Sequence, residues 1–220
     1  GSRGDVQPSI VLGLELRRRG HHVRIAVEDR LAPLVESFGL DRAIIEGDSA
    51  GVLLQKDAQT ALRSKSLITL MRLTKAWEAR WDKRTILDSY VKALSGADVI
   101  VASALSLTGC LCVAQTTGAA LAVLIPGPTW PTAEFPLWAL PMPFTCLNQW
   151  SYQLAFSAIW REEEKVVEAW RNDLGLPPLG TGGPMGFFKT HRTPTLVVAS
   201  SLACGPLGKA PGDWPSHVHL

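Results

Sequence analysis

Between Asp98 and Glu134 the chain carries no charged residue. Such a run is either a membrane span or the inside of a folded domain. A transmembrane helix needs about 20 consecutive apolar residues. Here the run is broken by Ser103, Ser106, Thr108, Gln115, Thr116, Thr117 and Gly118. It also divides into a β-like piece at 99–101, a helix-like piece at 105–117 and a second β-like piece at 121–125. Strands buried on both faces read as continuous apolar runs, so the stretch is a buried strand–helix–strand unit.

The flanking sequence alternates in the same way. Residues 8–19 predict a helix: Pro8 suits a first turn, Ile10, Val11 and Leu14 supply an apolar face, and Gly20 ends it after three arginines. Residues 22–27 and 42–46 predict strands, with a short helix at 31–38 between them. A long helical region is expected over 67–94 and another over 146–174. Residues 126–144 and 175–194 read as loops, and 195–199 as a last strand. The pattern is α/β: a Rossmann-like parallel sheet with helices on both faces. Ligands of such sheets lie beyond the carboxyl ends of the strands.

Composition narrows the function classes. The chain has 220 residues, of which 46% are hydrophobic and 19% charged, so it builds a real core. Its net charge of +2 is too small to point to nucleic acid, and no basic block appears. Cys110, Cys112, Cys146 and Cys204 form no CxxC pair, and the histidines lie too far off for a zinc site, so no metal is expected. The opening residues are polar and show no secretory signal, which predicts a cytoplasmic chain with reduced thiols.

The most informative segment is Gly1-Ser2-Arg3-Gly4-Asp5-Val6-Gln7-Pro8, a glycine-containing turn leading into a helix start. It has neither a Walker lysine nor GxGxxG spacing. Arg3-Gly4-Asp5 as an adhesion tripeptide is a chance match. The segment closely resembles the opening loop of glycosyltransferase family 28 and of the related sterol and antibiotic glycosyltransferases, G-[ST]-R-G-D-x-x-P. The resemblance continues in order along the chain. Gly20-His21-His22-Val23-Arg24-Ile25-Ala26, Phe38-Gly39-Leu40 with Glu46-Gly47-Asp48, Asn148-Gln149-Trp150-Ser151-Tyr152, Trp170-Arg171-Asn172-Asp173-Leu174-Gly175-Leu176-Pro177 and Asp213-Trp214-Pro215-Ser216-His217-Val218-His219 each match a family segment. Val27-Glu28 depart from the Thr-His that often follows the second strand.

This resemblance implies the glycosyltransferase-B fold, built from two Rossmann domains. Residues 1–220 would be its N-terminal, acceptor-binding half. The first strand of that half is expected to be missing, which would leave an interruption beside strand 22–27 and lower solubility. The nucleotide-sugar domain would follow residue 220. The activity implied is inverting hexosyl transfer from a UDP-sugar, as co-substrate, to a lipid or sterol hydroxyl. Asp5 would be the general base, with Ser2, Arg3 and Gly4 shaping the loop or approaching the donor phosphates. For Arg3 a surface salt bridge is an equal expectation. Trp130, Thr132, Phe135 and Trp138 are the candidate acceptor-binding residues, and a loop packed on its own domain is the alternative for them. The expected partners are an apolar or lipid acceptor, a peripheral membrane contact and the missing donor domain. The isolated chain is expected to be inactive without that domain. The competing expectation is a non-catalytic binding module with the same fold. His21 and His22 lie at the amino end of a strand, away from the expected cleft. Glu28 and Asp29 lie at the carboxyl end, where a polar loop or cap suits them. Trp77 and Trp81, four apart on one helical face, suit core packing.

Overall fold

The structure is a computed structural model that describes residues 2–63, 67–137, 140–199 and 209–220. The chain divides into two compact units, Gly1–Ser95 and Gly96–Leu220.

In the first unit, α1 (Arg3–Arg18) begins five residues earlier than Pro8 suggested. The cause is a capping box. Asp5 Oδ2 accepts from the Ser2 N–H at 2.6 Å and from the Ser2 hydroxyl at 2.8 Å, satisfying donors that a helix start otherwise orphans. Pro8 therefore stands inside the helix. It deprives only the Gly4 carbonyl of a partner, and exposed Gly4 leaves that carbonyl to water. Gly13 allows α1 to lie close on the sheet: a Cβ there would stand 3.2 Å from Val23 and 3.3 Å from Ile25 and Leu40.

Strand β1 (Arg24–Glu28) pairs in parallel with β2 (Asp41–Ile45), Val27 opposite Ile44. Between them lies α2 (Ala32–Glu36). Val6 and Ile10 of α1 and Val35 of α2 close over Val27, with Ile25 and Ile44 against them. The helical region expected over 67–94 is broken into α4 (Leu67–Glu78) and α5 (Lys83–Ala93), preceded by α3 (Lys56–Arg63). Asp82 makes the break, because its carboxylate accepts from the Thr85 N–H at 2.8 Å as an N-cap. Helix α5 packs on β2, and Ser89 Oγ accepts from the Glu46 N–H at 3.0 Å.

The second unit holds a four-stranded parallel sheet in the order β3 (Val99–Ser103), β4 (Ala120–Ile125), β5 (Thr195–Val197), β6 (Val218–His219). Helix α6 (Leu107–Thr117) crosses from β3 to β4 and ends at Gly118, whose φ of 76° gives the left-handed cap. This is the expected buried strand–helix–strand unit. Leu111, Val123, Ile125, Trp130, Phe188, Val197 and Val218 form its core. The thiols of Cys110 and Cys112 are free and buried. Burial pushes Cys110 up to about 11 and Cys112 up as well.

Helix α7 (Asn148–Asp173) runs unbroken, and α8 (Gly183–His191) replaces part of the loop expected at 175–194. Arg171 of α7 is 1% exposed. Its guanidinium donates to the Pro177 carbonyl at 2.9 Å, to Gln115 Oε1 at 2.8 Å and to Cys112 Sγ at 3.3 Å. These bonds fasten the turn after α7 to α6.

Among the described residues β1 pairs only with β2, and β3 only with β4. Each unit thus has its own parallel sheet. No described helix is long and apolar enough to cross a membrane.

Candidate functional site

The residues of the opening segment come together as the first turn of α1 rather than as a loop. Ser2 is the N-cap, Arg3 and Gly4 open the helix, and Asp5 closes the capping box. This corrects the expectation of a glycine turn. Gly4 needs no special conformation, since a Cβ there would meet only Ser2 Oγ, at 3.7 Å. Arg3 is exposed. It makes no ion pair among the described residues, so the alternative of a surface salt bridge is not what the structure shows. The two oxygens of Asp5 differ. Oδ2 is held twice by Ser2, while Oδ1 has no hydrogen bond among the described residues. The carboxylate is half-buried, fixed through one oxygen and open through the other.

Beyond the carboxyl ends of β1 and β2 lies a second polar cluster. Glu28 Oε1 accepts from the Ser49 N–H at 2.9 Å. Asp48 takes a two-pronged contact from Arg30, one bond of 2.6 Å and one shorter. Its backbone carbonyl accepts from the Trp77 indole at 2.7 Å. The Arg30 hydrogen bonds hold the Asp48 carboxyl below its ordinary range. Trp77 and Trp81 pack with ring centroids 5.8 Å apart, and the Arg80 guanidinium lies 4.3 Å from the Trp77 ring centroid. Both rings are half-buried and pack on each other, with Arg80 over Trp77, rather than in the buried core. Gly51 admits no side chain: a Cβ would stand 2.2 Å from Asp48 Oδ2 and 2.6 Å from Trp77 Cζ2. Gly51→Ala is expected to cost about 1–3 kcal/mol through overpacking, read as a lower denaturant midpoint with an unchanged slope.

In the second unit, the loop after β4 is packed from inside and clasped from outside. Trp130 is 2% exposed and belongs to the core, so its ring does not wall an open pocket. Its apolar bulk is worth more against Val123 and Phe188 than in solvent. His217 meets it edge-on, with centroids 5.8 Å apart. Burial, with Arg192 and His219 near, pushes the His217 imidazole below its ordinary range. Thr132 is fully buried and donates its hydroxyl to Asp213 Oδ1 at 2.6 Å. Asp213 Oδ2 accepts from the Ala133 N–H at 2.7 Å and from Gln149 at 3.4 Å. The Gly212 N–H donates to Glu134 at 2.6 Å. Phe135 is half-buried, and its carbonyl accepts from the Tyr152 hydroxyl at 3.3 Å. Trp138 lies outside the described residues.

Asp213 is the residue that sequence reasoning missed. The signal was present in Asp213-Trp214-Pro215, but nothing linear linked that segment to Thr132. Burial alone would raise its carboxyl, and the bonds from Thr132, Ala133 and Gln149 more than offset this, so it lies below its ordinary value of 3.8. The clasp is therefore complete above that value and is lost as pH falls through the lowered one. Asp213→Ala is expected to strip the Ala133 amide of its protection, seen at neutral pH as faster hydrogen exchange there with β4 unchanged.

Comparison with known proteins places this geometry. Residues 1–114 match the glycosyltransferase family 28 N-terminal domain. The O-mycaminosyltylonolide 6-deoxyallosyltransferase of Streptomyces fradiae is 29% identical over 231 residues, covering 100% of this chain and 51% of the relative. The sterol 3-beta-glucosyltransferase of Candida albicans is 29% identical over 109 residues, covering 50% of this chain and 7% of the relative. The calicheamicin glycosyltransferase CalG4 has a similar fold, with a TM-score of 0.56 at 16% identity over 99% of this chain and 48% of that one. The chain thus spans about half the length of the full-coverage relatives. With a family match over more than half its length, and a parallel α/β architecture in both units, the chain belongs to the glycosyltransferase family 28 N-terminal domains.

Proposed function

We propose that this chain is the acceptor side of an inverting hexosyltransferase in which Asp5 is the general base. The acceptor hydroxyl attacks the anomeric carbon of a UDP-sugar. The bond from that carbon to the diphosphate oxygen breaks, UDP leaves with the bonding electrons, and the hydroxyl proton passes to Asp5. The observation that carries this is the asymmetry of Asp5: Oδ2 is fixed by Ser2, and Oδ1 is open to take a proton. A base held in one orientation meets the geometric demand of proton transfer.

The acceptor is an apolar molecule bearing a hydroxyl, of lipid or sterol type. The sterol glucosyltransferase among the relatives supports that class. The donor nucleotide belongs to a second domain, which the half-length overlap with relatives supports. No metal is required by the scheme, since Asp5 accepts the proton and UDP is its own leaving group. For a lipid acceptor, a cytoplasmic enzyme would meet its substrate at a membrane surface.

The test is to mix this chain with a separately produced donor domain of a relative, a UDP-sugar and a sterol. Sugar transfer that needs both halves supports the proposal. Acceptor binding without transfer, also absent from the full-length protein, would establish a binding module instead.

A further inference from the structure

A cavity of about 170 Å³ opens in the second unit between α7, α8 and the turn before α8, with Pro131 as one wall. Its size sets what can enter. At about 30 Å³ per water it equals five or six waters, well below the roughly 300–1,000 Å³ of drug-sized sites. A sterol ring system does not fit. A single ring with one substituent does.

Its walls are fixed. The Trp160 indole donates to the Gly180 carbonyl at 2.9 Å. Glu168 Oε1 accepts from the Leu179 N–H at 2.9 Å and the Gly180 N–H at 3.2 Å. Gly183 has φ 53°, and a Cβ there would stand 2.7 Å from Trp160. Pro131 precedes Thr132, which Asp213 clasps. A space framed this way keeps its shape before a ligand arrives, so little ordering cost is left to binding.

Its chemistry is two-sided. Phe156 and Met185 offer apolar surface, Ser157 and Thr181 offer hydroxyls, and Lys189 is the charged side chain in the lining. Lys189 has no ion pair among the described residues. Lys189 stands in the last turn of α8, at the other end of that helix from Thr181 and Gly182. The Lys189 ammonium favours an anion at that end of the cavity.

We propose that this cavity binds a small amphiphilic carboxylate, its apolar body against Phe156 and Met185 and its carboxylate at Lys189. The site is independent of Asp5 and of sugar transfer. The test titrates the full chain with benzoate and with neutral benzamide at matched ionic strength, following the Met185 methyl by NMR. Saturable shifts are expected, with benzoate binding about fivefold tighter, the most a solvent-exposed ion pair of 1 kcal/mol yields. Lys189→Gln should bring benzoate down to the benzamide level. Gly186→Leu should fill the cavity and remove both shifts, and since a Cβ at Gly186 meets nothing within 4 Å, the fold should tolerate it. Non-saturating shifts, equal binding of the two probes by the wild type, or an undiminished benzoate preference in Lys189→Gln would overturn the proposal.

Discussion

Asp5→Asn in the full-length protein is expected to lower kcat for sugar transfer by about 10²- to 10⁴-fold, the contribution of a positioned general base. The measurement is the initial rate at saturating acceptor and donor. Asn is nearly isosteric, and its carbonyl oxygen still accepts from the Ser2 N–H and hydroxyl, the bonds that hold Asp5 at 2.6 and 2.8 Å. The thermal midpoint should therefore hold while the rate collapses. Ser2→Ala makes the opposite change. It removes one capping bond, at about 1 kcal/mol, and leaves the carboxylate in place. A fall in rate only where stability also falls would mean that Asp5 is a helix cap and no more.

Arg171→Ala is expected to destabilise the chain by about 3–5 kcal/mol, the range for removing one partner from a buried charged network. Arg171 is 1% exposed. Its loss strands the Pro177 carbonyl and Gln115 Oε1. It also leaves Glu168 Oε2, 3.9 Å away and already without a hydrogen bond, facing an empty space. For a chain of this size each kcal/mol moves the midpoint by roughly 2–4 °C, so thermal unfolding should show a fall of roughly 6–20 °C. Arg171→Lys keeps the charge but not the fork that reaches three partners, and should recover only part of the loss. A midpoint within a degree or so of wild type in Arg171→Ala would show that the turn after α7 is held by other contacts.

The elements legible in the sequence were those whose pattern is local. The uncharged stretch became β3, α6 and β4 nearly residue for residue, because continuous apolar strands and a glycine cap leave little choice. Pro8 marks the start of α1 too late, because the Ser2–Asp5 spacing is itself a capping signature and sets the first turn. Helix α8 was hidden by glycine. Its Pro184 and its Met185–Phe188 pair signal a helix, but Gly180, Gly182 and Gly183 outvote them in any propensity count. Candidate site residues fared by the same rule. Ser2 and Asp5 were near in sequence and proved bonded. The clasp of Thr132 by Asp213 joins distant segments, and only the fold brings them together. Trp130 looked like pocket lining because aromatic loop residues often are, and burial in the core settled its position.

The two sheets also differ in how far apart along the chain their partners lie. Ala26 finds Ala43 in β2 across the short helix α2, whereas Val123 of β4 must find Thr195 of β5 roughly seventy residues later. Closing the longer loop costs more chain entropy before any ladder bond repays it. Strand β5 spans only Thr195–Val197, so the repayment is small. The first unit should therefore assemble early, and β5 and β6 should dock last. Slow refolding phases would then belong to the β4–β5 junction, and mutations there would change the rate at which the chain matures more than those in α1 or β1.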